Sequence, residues 1–392
     1  MSALWWVNER QLNSEQKEVI RLSTDGHHLI EGPPGSGKTN LLLLRAKFLI
    51  RSKIPHIALL TFTRALRQFL VRGATQYAIP ANRLMTVLEW SKSQLTDLGG
   101  SLADLPDTFP EMREEVARRL AQRIRSSGAS GTFDSILVDE AQDLTPKEIA
   151  NLLRLGKTIF AVGDAGQRIY DVDGALSRLR GHCTLTKLTS HYRCAPEICS
   201  VADEIASSTA GIAPILPDCN YSDPDEANIE RIQVTTLLDQ CDKLLGKVEV
   251  QLRAYPDELI AVACPLVPQV EEVRAFLLRS PLSSQVFPGD DTLEGAKSNR
   301  VLVTTLHKLK GLEFKAVNLV GLEEISALRQ AQKRVGYMAV TRARTSLVAY
   351  WSPKSTGRSI PGWLEKGLVV NDQPHDASLA ELFGDDPLGG AE

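Results

Sequence analysis

The sequence predicts an α/β protein made of two parallel-sheet units in tandem. Three observations carry this. Short apolar runs alternate with helical stretches from about residue 12 to 182, and again from about 184 to 352; such alternation implies parallel sheets wrapped by helices. Gly32-Pro33-Pro34-Gly35-Ser36-Gly37-Lys38-Thr39 fits G-x-x-x-x-G-K-T. Downstream, Ser135-Ile136-Leu137-Val138 ends in Asp139-Glu140-Ala141-Gln142, as a buried parallel strand would.

In the first unit, His28–Glu31 is the strand before the glycine loop and 38–52 the helix after it. Strands are expected at Ile57–Thr61, 136–139 and 158–162, with helices at 64–72, 146–154 and 175–180. The charged stretch 110–127, closed by Gly128-Ala129-Ser130-Gly131, reads as a small helical insertion within about 97–132. The second unit supplies strands at 259–264, 300–304, 316–320 and 346–350, and helices at 195–207, Val267–Leu278 and 330–341. Domains are thus expected at 1–183 and 184–352. From 353 a tail follows, and 371–392 is expected to be disordered because Pro, Gly and acidic residues accumulate without periodicity.

The glycine loop has the strand–loop–helix context that phosphate binding needs. Backbone N–H groups converge there at a helix N-terminus, where the dipole also favours an anion. Lys38 can reach the β- and γ-phosphates, and Thr39 can place its hydroxyl on Mg²⁺. Asp139 would hold the magnesium, directly or through water, and Glu140 would orient the attacking water. Loop and acid pair both fall at the carboxyl ends of strands, where α/β sheets bind ligands. The expected chemistry is hydrolysis of a nucleoside triphosphate, with ATP and Mg²⁺ as cofactors.

Composition is that of a globular protein, 43% hydrophobic and 24% charged. No apolar run approaches the ~20 residues that span a bilayer. Residues 1–10 lack the features of a signal peptide, so a cytoplasmic location without membrane association is expected. A net charge of −3 argues against a general basic coat, but not against a local basic track. Lys and Arg do cluster, at Arg64, Arg67 and Arg72, at Arg118, Arg119, Arg123 and Arg125, and at Lys308, Lys310 and Lys315. The six cysteines form no C-x-x-C pair. His182, Cys183, His191, Cys194 and Cys199 leave zinc open beside the plainer reading of free thiols.

Further segments follow in a fixed order. They are Leu12-Asn13-Ser14-Glu15-Gln16, Leu60-Thr61-Phe62-Thr63-Arg64, Val162-Gly163-Asp164-Ala165-Gly166-Gln167-Arg168-Ile169-Tyr170, Ser190-His191-Tyr192-Arg193, Thr305-Leu306-His307-Lys308-Leu309-Lys310-Gly311-Leu312-Glu313 and Tyr337-Met338-Ala339-Val340-Thr341-Arg342. Together with the loop and acid pair, the series closely resembles superfamily 1 DNA helicases of the UvrD/Rep/PcrA type, over about residues 12–351. The resemblance implies two RecA-like P-loop domains with ATP between them and single-stranded DNA across the top of both. It implies an ATP-dependent 3′→5′ translocase or helicase. Gln16 would read the adenine edge and Tyr192 would stack on its face. Gln167 would couple the γ-phosphate to the DNA track. Arg193 and Arg342 would stabilise transition-state charge, and Glu313 would bond the ribose with Gly311 allowing close approach. Phe62, Thr63, Arg64, Thr305 and His307 would contact nucleic acid; Tyr170 is either a stacking platform or packing beneath Gln167.

The chain departs from that pattern in three places. Asn40 stands where the family usually has an adenine-stacking arginine. Val172 and Asp173 stand where a tryptophan and an arginine are usual. The spacing leaves only about 97–132 and 279–299 for the family's two accessory domains, so the second is effectively absent. A reduced motor that unwinds poorly alone, with a protein partner, is expected. An ATP-driven switch that controls a partner such as a nuclease is the alternative, and an RNA-directed motor a third reading.

Overall fold

The computed structural model describes residues 6–164, 166, 175–209, 211–289, 293, 298–325, 330–353 and 362–369. Its first half runs α1 (Ser14–Ile20), β1 (His28–Glu31), α2 (Lys38–Arg51), β2 (Ile57–Thr61), α3 (Arg64–Gln76), β3 (Leu84–Thr86), α4 (Val87–Asp97), α5 (Phe109–Ser127), β4 (Phe133–Val138), α6 (Pro146–Leu155), β5 (Gly156–Gly163), α7 (Ala175–Arg180) and β6 (Thr184–Lys187). The strands form one parallel sheet in the order β3-β2-β4-β5-β1-β6. The second half contributes α8 (Pro196–Ser207), β7 (Asn228–Gln233), α9 (Leu237–Ala254), β8 (Ile260–Cys264), α10 (Val267–Leu278), β9 (Val301–Thr305), β10 (Phe314–Leu319), α11 (Gln330–Val340), β11 (Ala343–Trp351) and α12 (Gly362–Val369). Its sheet is also parallel, ordered β7-β11-β10-β8-β9. Two parallel-sheet α/β units in tandem are therefore present, as the alternation predicts, consistent with the RecA-like domains that the resemblance implies.

Both faces of each sheet are covered, so central strands such as β2 and β8, and even the edge strand β9, are buried at every position. That explains their near-continuous apolar runs. Reciprocal capping boxes start α1 (Asn13 with Gln16), α4 (Thr86 with Glu89), α6 (Thr145 with Glu148) and α9 (Thr236 with Asp239). Each box satisfies two N–H groups that the first helical turn leaves without partners.

The insertion helix is part of the core rather than an appendage. Val116, Leu120 and Ile124, four residues apart on α5, are buried, and Leu120 and Ile124 share a core with Trp90 of α4. Trp90 is fully buried and lies 5.8 Å from the Phe133 ring. Truncating a tryptophan so placed costs about 3–5 kcal/mol.

The structure differs from the sequence reading at several elements. Thr184–Lys187, assigned to the second unit, pairs in register with β1 and forms the edge of the first sheet. Its mostly polar, largely exposed Thr-Leu-Thr-Lys carries no apolar run. Strand β7 is likewise a half-exposed edge, and the sequence does not announce it. The mixed surface of α9 and the shortness of β3 hid them too. Within the tail, α12 buries Leu364 and Leu368 in the main core; residues 371–392 lie outside the described residues. From Leu278 to Val301 the described chain contains one 3-10 turn, Ser283–Gln285, and an isolated bridge from Val286 to Val301.

Candidate nucleotide and nucleic-acid site

The front wall of the cleft is the loop between β1 and α2 together with the carboxyl end of β4. Gly35 and Gly37 have φ of 70° and 83°, a region that glycine adopts without strain, and Gly37 is the N-cap of α2. Lys38 Nζ donates to the carbonyls of Gly32 at 2.7 Å and Pro33 at 2.6 Å. Ser36 Oγ donates to Pro33 O at 3.0 Å, tightening the same turn. Thr39 Oγ1 donates to Asp139 Oδ2 at 2.9 Å, so the expected metal pair is assembled. Burial first, then repulsion from Glu140, raises the Asp139 carboxyl to about 7.

Glu140 has φ of 51°, left-handed for a non-glycine residue, a conformation that costs about 1–3 kcal/mol and concentrates at functional sites. Gln142 Nε2 donates to Glu140 Oε2, and Gln142 Oε1 accepts from Asp164 N at 3.0 Å. The glutamine thereby ties the acid pair to the end of β5. Burial alone would raise Glu140, but Lys310, Arg342 and Lys38 outweigh it and hold the carboxyl below its ordinary value. Burial lowers the Lys38 ammonium, opposed by Asp164 and Glu140.

The rear wall comes from the second half of the chain. Tyr192 N–H donates to Gly35 O at 2.9 Å. His191 Nδ1 bonds Pro34 O, while its Nε2 accepts from Cys194 N at 2.9 Å. Arg193 pairs with Glu313 and donates to Thr341 O at 3.2 Å. Arg342 is buried, donating from Nε to Met338 O at 3.1 Å and from Nη1 to Leu312 O at 3.4 Å. Burial and the neighbouring Arg193 lower its guanidinium to about 10. Lys310 Nζ, 4% exposed, meets Asp143 Oδ1 at 2.6 Å with Asp143 1% exposed. This is a buried ion pair that bridges the two halves.

These residues fit a magnesium nucleotide. The donor set offers hydroxyl and carboxylate oxygens, the chemistry hard cations take. Arg193 Nε and Asp164 Oδ2 are buried with no hydrogen-bond partner among the described residues. Both belong to groups whose charges act on Lys38.

Sequence expectations and structure part in instructive ways. Gln16 lies on the glycine loop, Nε2 donating to Ser36 O at 3.2 Å, and Tyr192 OH accepts from Asn13 Nδ2 at the cap of the same helix. The two residues expected at adenine thus both lie beside the N-terminal turn of α1 and the glycine loop. Asn40, grouped by the resemblance with the nucleotide contacts, is instead buried and accepts from Tyr77 OH at 2.7 Å. Gly311 has φ of 82°, and a Cβ there would come 2.8 Å from Leu66 Cδ2. The close approach this structure shows for it is to Leu66 of α3. Glu313 holds Arg193 first, and any ribose contact would share that carboxylate. Thr63 caps α3, its hydroxyl accepting from Leu66 N at 3.1 Å. Arg64 is exposed, Phe62 half-buried, Thr305 buried and His307 exposed. Gln167, Tyr170, Val172 and Asp173 lie outside the described residues. His191, weighed as a zinc ligand, spends both ring nitrogens on the glycine loop and Cys194. Among the described residues no group of three or more His, Cys, Asp or Glu could hold a metal ion.

Sequence reasoning missed Asp143, Asp164, Arg113 and the pairing of Lys310. Asp143 and Asp164 sit beside recognised motifs, which was the available signal. Arg113 carried none, lying among many charges on α5.

Two family models match the chain: an AAA domain over residues 16–173 and a UvrD-like helicase C-terminal domain over 300–350. F-box DNA helicase 1 of Gallus gallus is 38% identical over 82 residues, which is 20% of this chain and 8% of that protein. This chain therefore spans a small fraction of that relative. A structure titled "The structure of PRRSV helicase" is similar at 14% identity and a TM-score of 0.43, covering 88% of this chain and 57% of that one. Fold and site define a P-loop protein of two parallel-sheet domains, with the glycine loop of the first facing residues of the second. Together the two family matches support a UvrD-type helicase of superfamily 1. Among the described residues no helix is long and apolar enough to cross a membrane.

Proposed function

We propose that this chain hydrolyses ATP and uses the cycle to move 3′→5′ along single-stranded DNA. The observation that carries the reading is the convergence of Arg193 and Arg342, from the second half, on Lys38 and Glu140 of the first. Arg193 is close enough to act on the ionisation of Lys38, and Glu140 acts on both arginines. Lys38 and the loop amides bind phosphate. Thr39 and Asp139 would hold Mg²⁺, which when bound neutralises phosphate charge. Glu140, kept ionised by Lys310 and Arg342, accepts a hydrogen bond from water and orients it. Arg193 and Arg342 stabilise developing charge, the role in which an arginine finger contributes about 10³–10⁵ in rate.

Because those cations come from the other domain, turnover requires a closed cleft. Closure brings together the two regions proposed to grip DNA, around Phe62 and Arg64 on one side and Thr305 and His307 on the other. Gln167 is proposed to link the phosphate end to that track.

A second reading is favoured by the short 279–299 spacing, which leaves little room for a domain to engage a duplex. In it the chain is an ATP-driven switch for a partner protein. ATP turnover measured alone and with single-stranded DNA, duplex and RNA decides between them. Strong stimulation by single-stranded DNA supports the motor. No stimulation by any nucleic acid leaves the switch, and preferential stimulation by RNA replaces the DNA assignment.

A further inference from the structure

Asp143 is the residue at which both domains and the inserted helix meet. Its N–H donates to Glu140 O at 2.9 Å. Its own carbonyl accepts from Arg113 Nη2 at 2.7 Å, and its carboxylate Oδ1 accepts from Lys310 Nζ at 2.6 Å. The base of the nucleotide site, the inserted helix and the second domain thus bear on one residue. Asp143 Oδ2 has no hydrogen-bond partner among the described residues, so Lys310 supplies much of what offsets its burial.

Arg113 carries the connection outward. Its Nε donates to Glu148 Oε1 at 2.6 Å and its Nη2 to Glu148 Oε2. Its guanidinium carbon lies 4.7 Å from the centre of the Phe62 ring. Phe109, one turn earlier on α5, meets Phe62 edge-on with centroids 6.1 Å apart. Arg113 and Glu148 are 8% and 3% exposed. A planar fork bound on two sides cannot shift independently of its acceptors, and a cation over an aromatic face holds that ring in place.

We propose that Arg113 is a positioning residue that relays the state of the nucleotide cleft to Phe62. The relay rests on the single-strand motor reading above. Lys310 rides on the second domain and meets Asp143 only while the cleft is closed. When the domains part, the buried carboxylate loses its counter-charge, and the Ala141–Asp143 turn must rearrange or admit water. The Asp143 carbonyl moves with that turn, Arg113 follows the carbonyl, and the surface that Phe62 offers a base changes. The groups are contiguous, as energetic coupling through a protein requires. The effect is also reciprocal: single strand and nucleotide alter each other's affinity by one factor.

The test measures binding of a fluorescent oligothymidylate to the full chain, with and without Mg²⁺ and a non-hydrolysable ATP analogue. The wild-type dissociation constant should change roughly 5–150-fold on adding the analogue, the usual span of such coupling. Arg113→Met combined with Glu148→Met removes both buried charges at similar volume, leaving neither stranded. In that variant the change should shrink below about twofold, while analogue affinity without DNA stays within about twofold of wild type. Arg113→Lys keeps the charge but not the fork, and should lose most of the coupling while folding normally. A merely structural Arg113 would lower thermal stability and leave the ratio intact, and that result overturns the relay. A wild type that binds DNA with no response to nucleotide also overturns it, leaving the motor to be judged by turnover. A wild type that does not bind single strands removes the motor reading and the relay together.

Discussion

On the front wall of the cleft, Lys38 is fixed by two carbonyls of its own loop and Thr39 by a neighbouring strand end. On the rear wall, Arg193 is fixed by Glu313, and Arg342 by carbonyls at Met338 and Leu312. The first wall is shaped by backbone, so its charges can change without collapsing the geometry. On the second, Arg193 is held by an opposing charge, so removing Glu313 leaves it buried and uncompensated. Catalytic and structural duties should therefore separate on the front wall and coincide on the rear.

The largest expected effects test whether both walls act on one nucleotide. Lys38→Ala should abolish ATP turnover. Arg342→Ala should lower it by about 10³–10⁵ while retaining more nucleotide affinity than Lys38→Ala, as steady-state turnover and equilibrium binding would report. Normal turnover in Arg342→Ala would detach the rear wall from the chemistry.

Next comes the separation of duties. Glu140→Gln should reduce turnover by about 10²–10⁴, the usual contribution of a general base, with only a modest fall in melting temperature, because relief of the repulsion with Asp139 offsets part of what Lys310, Arg342 and Lys38 lose. Glu313→Gln should lower turnover and melting temperature together, since Arg193 loses its partner. Equal melting temperatures for the two variants would break the distinction between the walls.

Legibility in the sequence follows the same divide. The front wall could be read because each motif assigns its own residues. Thr39 and Asp139 are 100 positions apart, yet each was identified within its own short pattern. Lys310 and Asp143 are 167 positions apart, and no local pattern says that one answers the other. Arg193 and Arg342 were legible only through resemblance, and their supporting carbonyls not at all. The fold shows a parallel case. Strands β2 and β8, buried on both faces, announce themselves by near-continuous apolar runs, as does the buried edge strand β9. Edge strands β6 and β7 keep one side toward water and read as ordinary polar chain.

A smaller effect is expected at the nucleic-acid side. Phe62→Ala should weaken single-strand binding by about 1–3 kcal/mol, the worth of one stacked base, with basal turnover little changed; fluorescence titration would measure it. An unchanged affinity would make Phe62 a packing residue between α3 and α5.

The smallest effect lies away from both walls. Burial lowers the imidazoles of His27 and His28 below the ordinary 6.5. The unfolded chain therefore takes up protons first as pH falls through about 6.5, so their contribution is complete above that value and is lost toward the lower folded pKa values. Thermal unfolding near neutrality and near pH 5.5 should show the loss equally in wild type and in Lys38→Ala. A dependence confined to one of them would place the titration in the cleft.

The pairing of Thr184–Lys187 with β1 decides where the molecule could be cut. Severing it at 183, the boundary that sequence periodicity suggests, would strip the outer neighbour from the strand that leads into the phosphate loop. That would expose a row of backbone donors and acceptors ready to recruit another chain. A first lobe prepared alone should therefore run through Lys187, and the shorter fragment should precipitate where the longer one stays monomeric.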